Sequence, residues 1–215
     1  MRHFAKELKA EGWRVRYHAF QSDSPIRSLL DFVESQQQLL PVTELVITHC
    51  GEYRLQQQIE QYWSQQLQLP VQCLNDERFF CSPEQFQHWA NHYQTLRMEY
   101  FYQEMRKRTG YLMQGKQPLG EQWNYDSANR KAWSGSPPLP PALHFERDQI
   151  DLDVLKLVER EFSRHSGSLD NFRWATTRSN ALLALEHFIT HSLPHFGDYQ
   201  DAMVQGADML FHSLL

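Results

Sequence analysis

Three groups of residues have the types and spacing to do chemistry. His187, His191 and His195 recur every four positions, with Glu186 beside the first. Imidazoles at i and i+4 share a helix face and can hold a zinc ion, which would make a metal hydrolase. The order is not the H-E-x-x-H of a zinc protease, however, and Pro194 is expected to end the helix before His195. The pair then reads as a polar helix edge, and no metal ligands are assigned. A second group, Cys50-Gly51-Glu52-Tyr53-Arg54, stands where a strand hands over to a helix, the place where open α/β sheets bind ligands and anions. No G-x-G-x-x-G or Walker loop accompanies it, so an ordinary tight turn is the competing reading.

The third group runs from Arg97 to Lys131. Seven basic residues stand there against four acidic ones, a local +3, interleaved with Tyr100, Phe101, Tyr102, Tyr111, Trp123 and Tyr125. Basic groups track phosphates and aromatic faces stack on bases. Arg106, Lys107 and Arg108 are the candidate nucleic-acid contacts. The alternative is a helix that packs its aromatics inward under a solvated basic face.

These groups need elements to position them. Met1, Phe4, Ala5 and Leu8 recur at helical spacing and Gly12 supplies a stop. Val15, Tyr17 and Ala19 alternate with polar residues, which predicts a short strand. Ser22-Asp23-Ser24-Pro25 precedes a helix expected over 26–39. Leu45–Thr48 and 69–74 predict two further strands, joined by a helix through Leu55, Ile59, Tyr62 and Trp63. Strand alternating with helix points to parallel βαβ units. Ser82-Pro83 opens the next helix, and another is expected from Thr95 to about Arg108, stopping at Gly110. From Gly115 to Pro141 the chain is rich in Gly, Pro, Asn and Ser, as a linker would be. Helices are expected from Val154 to about His165, from Thr177 to about Ser192 and from about Gly206.

The fold expected is α/β plus all-α. Residues 1–94 form a partial, doubly wound parallel α/β domain, 95–141 a helix and linker, and 142–215 the start of a helical domain. With 41% hydrophobic and 13% aromatic residues, a chain of 215 residues can bury a core and is not a disordered tail. No apolar run is long enough to cross a bilayer and the charged N-terminus lacks a signal peptide's apolar stretch. Three widely spaced cysteines make neither a disulfide framework nor a zinc ribbon, so a reducing, cytoplasmic setting is expected. A net charge of -5 excludes a generally basic nucleic-acid binder.

Several strings go beyond composition: Arg97-Met98-Glu99-Tyr100-Phe101-Tyr102, Trp123-Asn124-Tyr125-Asp126, Asn129-Arg130-Lys131, Asn171 to Arg178, and His195-Phe196-Gly197-Asp198-Tyr199-Gln200-Asp201-Ala202-Met203. In that order they resemble the photolyase-related family, the iron–sulfur bacterial cryptochromes and photolyases. The resemblance implies an antenna-type α/β domain, a linker and a helical FAD-binding domain. It implies light-driven repair of (6-4) photoproducts in DNA, or blue-light sensing. FAD, a ribityl-lumazine antenna and a [4Fe–4S] cluster are the cofactors of full-length members. It further implies flavin-pocket roles for Tyr199, His212 and Ser213, and packing for 171–178. Against that family the first strand would precede Met1 and the cluster cysteines would follow Leu215. The chain is therefore expected to be an internal fragment that retains no cofactor and repairs nothing alone, with cut surfaces that favour self-association. A non-enzymatic α/β binding module is the alternative.

Overall fold

Helices begin here where a side chain can accept from their first free amides. In the computed structural model, which describes residues 1–207 and 210–212, Ser28 accepts from the Asp31 N–H and opens α2, Leu29–Gln37. Ser82 does the same for α5, Pro83–Ala90, with Pro83 in the first turn, where a missing N–H costs nothing. Asp148 caps α7, Gln149–Glu161, and Thr177 caps α8, Arg178–His187. Three of these starts are reciprocal capping boxes. The stops are equally local. Helix α1, Arg2–Ala10, ends with the Gly12 and Trp13 amides donating back to Lys9 and Leu8, and Gly12 takes a positive φ of 93°. Helix α6, Met98–Thr109, stops at Gly110, φ 76°.

The chain divides into two compact units, Met1–Ser22 with Asn124–Leu215, and Asp23–Trp123. In the second, β1 (Leu45–Thr48) and β2 (Val71–Leu74) pair in parallel, Leu45 opposite Val71 and Thr48 opposite Leu74. Their crossover is one helical run: α3 (Tyr53–Gln58), a π-helical turn (Ile59–Trp63) and α4 (Ser64–Leu67). Ile59, Trp63 and Leu67, four residues apart, share a face and are 1%, 2% and 5% exposed. With Leu69 they form the core, against which Leu30, Val33, Leu45, Ile47 and Val71 pack. Burial of each such side chain contributes about 1.5–3 kcal/mol. A hairpin of β3 (Met113–Gln114) and β4 (Gln117–Pro118) follows α6.

In the first unit, α8 runs on through a π-helical turn (Phe188–Ser192) into α9, Leu193–Tyr199. The Arg147 guanidinium donates to the carbonyls of Leu169, Asp170 and Phe172, at 3.0, 2.6 and 2.8 Å, and so fixes the loop before α8.

Three expectations need correction. Val15–Ala19 is not a strand: it joins no ladder among the described residues, and Tyr17 is 40% exposed. Alternation permits a strand but only a paired neighbour makes one, so the parallel sheet has two strands. Pro194 does not end the helical run, because the π-helical turn before it lets the chain resume with Pro194 in the first turn of α9. Val204–Ala207 form a turn closed by a bridge rather than the start of a helix. The rest of that stretch, at 208–209 and 213–215, lies outside the described residues.

Candidate functional site

The carboxyl ends of β1 and β2 open into a cleft of about 870 Å³. His49, Cys50 and Gly51 reach it from the end of β1, Asp76, Phe79 and Phe80 from beyond β2, and Gln56 and Glu60 from the crossover helix. Ser82 and Glu84 enter from the start of α5, and Phe101 from α6. Aromatic faces dominate its mouth. Tyr53, Phe79 and Phe80 are 75%, 68% and 66% exposed, an unusual amount of bare ring for one place. Behind them Phe86, Trp89 and Phe101 form a cluster with ring centroids 5.0–5.6 Å apart.

Gln56 is the floor. It is 3% exposed, yet fully used: Oε1 accepts from the Cys50 N–H at 2.7 Å, and Nε2 donates to Glu60 at 2.6 Å and to the Cys73 sulfur at 3.3 Å. One side chain thus ties the turn after β1 to the helix and to β2. Cys50, Gly51 and Tyr53 of the Cys50–Arg54 stretch border this cleft, but two amides of the helix start are taken. Glu52 accepts from the N–H groups of Arg54 and Leu55. The Arg54 guanidinium beside it, and then the Leu55 N–H, hold its carboxyl below the usual range. Asp76 is lowered mainly by Arg78, 2.6 Å away. The Ser82 hydroxyl, then its own amide and His49, lower Glu84. Among the lining residues there is no Lys or Arg.

In the first unit, Tyr199 ends α9 with its ring 5.4 Å from that of Phe211, which is 1% exposed, and its hydroxyl donates to the Ser136 carbonyl at 3.3 Å. His212 meets Phe196 edge-on and lines an apolar cavity of about 420 Å³ with Pro140, Phe145, Trp174 and Phe188. Ser213 lies outside the described residues. Two of the recognised strings meet here: Lys131 pairs with Asp198 at 2.8 Å and Arg130 with Asp201 at 3.7 Å. The described walls of this cavity suit an apolar body. They include no Lys or Arg for the diphosphate of FAD, so no step through a flavin is derived from them.

Arg106, Lys107 and Arg108 part company. Arg106 is 5% exposed, set between the rings of Tyr102 and Trp123 at 5.4 and 5.3 Å, and donates to the Leu112 carbonyl. Its guanidinium organises the hairpin after α6. Lys107 and Arg108 are exposed and can meet a phosphate, although Lys107 also sits over Trp123. The rings of His187 and His191 lie 4.7 Å apart, tilted by 54°. The ligand-bearing cluster among the described residues lies elsewhere, at His3, Asp148 and Asp151. There the His3 ring nitrogen is 2.9 Å from Asp148, joining α1 to the start of α7.

Sequence reasoning named Tyr53 and Phe101 in separate groups but missed Phe79, Phe80, Gln56 and the His3–Asp148 pair. Phe79-Phe80, two adjacent rings in a turn segment just ahead of Ser82-Pro83, were the available signal. The others lie far apart in sequence and only the fold gathers them.

The family described as deoxyribodipyrimidine photo-lyase-related protein matches residues 1–174. A (6-4) photolyase of Agrobacterium fabrum (strain C58 / ATCC 33970) is 39% identical over 215 residues, which are 100% of this chain and 42% of that protein. The chain thus spans less than half the length of this relative.

Proposed function

The chain belongs to the deoxyribodipyrimidine photo-lyase-related protein family, and on that premise we propose that it serves a light-driven flavoprotein of the photolyase and cryptochrome kind. The role argued is repair of (6-4) photoproducts in DNA, after the name of the 39%-identical relative. In this reading residues 1–94 are the antenna-type α/β portion, 95–141 the helix and linker, and 142–215 belong to the helical flavin-holding portion, with flavin-pocket roles for Tyr199, His212 and Ser213 taken from the family resemblance. The protein works in the cytoplasm; among the described residues no helix is long and apolar enough to cross a membrane. Lys107 and Arg108 supply phosphate contacts to DNA.

The observation that carries the proposal is the cleft at the carboxyl ends of β1 and β2. Flat aromatic faces, amide and carboxylate partners and the absence of lining cations suit a planar heteroaromatic ring with a neutral polyol tail, the chemistry of a ribityl-lumazine. Such a pigment, when bound, supplies light absorption; FAD supplies the excited electron donor. The chain's own residues bind and orient. Tyr53 and Phe80 offer stacking faces at the mouth, Gln56 fixes the turn beneath, and Phe86 and Phe101 close the back against water.

Fluorescence titration of the 215-residue chain with ribityl-lumazine tests this. Saturable one-to-one binding is expected, weakened about tenfold by Phe80→Ala or Tyr53→Ala, since stacking on one ring contributes about 1–3 kcal/mol. Both side chains are exposed, so their loss leaves folding intact. Absence of saturable binding, or binding that neither substitution weakens, overturns the proposal.

A further inference from the structure

We infer that the cleft discriminates against phosphate: it selects a chromophore with a free polyol tail and rejects the same chromophore as its phosphate ester. The inference rests on the cleft being the pigment site proposed above, and it concerns what the charges around that site allow. Phosphate sites in open α/β sheets rely on free amides at a helix start, often with a cation close by. Two helices start at this cleft, and at both the protein's own groups occupy helix amides. At α3 the Glu52 carboxylate occupies the Arg54 and Leu55 amides. At α5 the first residue is Pro83, which has no N–H, the Gln85 amide is given to Ser82, and the Ser82 hydroxyl is given to Glu84.

The remaining charge has the wrong sign for an anion. Glu60 and Glu84 face the cleft, and among the described residues neither forms an ion pair with Lys or Arg. Glu60 is held by the amides of Gln56 and Gln57. Asp76 is offset by Arg78, whose own guanidinium is 81% exposed. Arg54, at the start of α3, is spent on Glu52. His49 is the remaining titratable base on the lining and stands near Asp76 and Glu84. A phosphate entering here meets carboxylates with no Lys or Arg on the lining to offset them, whereas neutral hydroxyls can donate to those same carboxylates. The acidic rim thus has two consequences at once, retention of a polyol and exclusion of its ester.

The test is a paired titration of the full chain with ribityl-lumazine and with its 5′-phosphate at about pH 8. The ester is expected to bind at least about tenfold more weakly, equivalent to ~1.4 kcal/mol. In the Glu60→Gln, Glu84→Gln double variant the ratio of the two affinities should fall to within about threefold, because the repelling charges are gone while the shape is kept. The ratio is the readout, so a general loss of affinity in the variant does not imitate the effect. Equal affinities in the unmodified chain overturn the inference and leave the pigment site standing. A penalty that persists undiminished in the double variant overturns the charge origin. Failure of both compounds to bind removes the pigment site and the inference with it.

Discussion

Replacing Gln56 with Glu changes one group at the floor of the cleft and leaves its shape alone. The acceptor to the Cys50 N–H survives, while the donor to Glu60 at 2.6 Å becomes an oxygen facing a carboxylate. A hydrogen bond to a charged group, contributing about 1.5–3 kcal/mol, is lost. Two ionised carboxylates at about that separation repel by several kcal/mol more, even at an effective dielectric constant of about 20. The pair relieves this by sharing a proton, which raises one folded-state pKa. The folded variant then holds a proton that the unfolded chain has released, so its stability falls as pH rises above the ordinary carboxylate range. A cost of about 3 kcal/mol is expected at about pH 8, shrinking below about 1 kcal/mol near pH ~4.5, where the protonated side chain again donates to Glu60. Urea unfolding followed by tryptophan fluorescence measures it, with Trp63, 2% exposed in the adjoining core, as a reporter. A cost under about 1 kcal/mol at pH ~8, or one of equal size at both pH values, refutes the reasoning that places Gln56 as a donor to a charged Glu60.

Two further predictions separate structural from available charges. Arg106→Ala is expected to destabilise by about 2–4 kcal/mol, through two lost ring contacts and the lost hydrogen bonds to the Tyr102 hydroxyl and the Leu112 carbonyl, whereas Lys107→Ala and Arg108→Ala should each stay within about 0.5 kcal/mol. In filter binding to duplex DNA by a protein containing these residues, the two exposed substitutions should each reduce the salt dependence by about one counterion. Asp148, lowered first by the Asp151 amide and then by His3, contributes stability that is present above the ordinary carboxylate range and lost as pH falls through its depressed folded value. The difference in thermal midpoint between the unmodified chain and Asp148→Asn should therefore be present at neutral pH and vanish in acid; a constant difference contradicts it.

What could be read from the sequence was local chemistry. Leu45–Thr48 and Val71–Leu74 are short apolar runs bounded by turn residues, and they are strands because each has the other as a neighbour. Ser82, Thr177 and Gly110 announce a helix start or stop by their own side chains, or by the lack of one. Val15–Ala19 shows the limit, since its alternation satisfies a strand's pattern and says nothing of a partner. The π-helical turns were invisible for a related reason: they reconcile a helix with its surroundings and leave no mark at one residue. Arg106 shows the same for sites. A basic triplet does not say which of its members faces inward, and here the first turns in while the other two turn out. The cleft was legible only as a position after β1; its aromatic walls come from residues 53 to 101 and are assembled by packing. Membership of the family was legible in the ordered strings, because those are whole segments rather than spacings.

A crystal structure of the 215-residue chain grown with ribityl-lumazine tests the central claim most directly. The account predicts density for one ring system in the cleft at the ends of β1 and β2, stacked on Tyr53 or Phe80, with its polyol hydroxyls toward Glu60 and Glu84. Density in the apolar cavity beside His212 instead, or an unchanged cleft at saturating pigment, would contradict it.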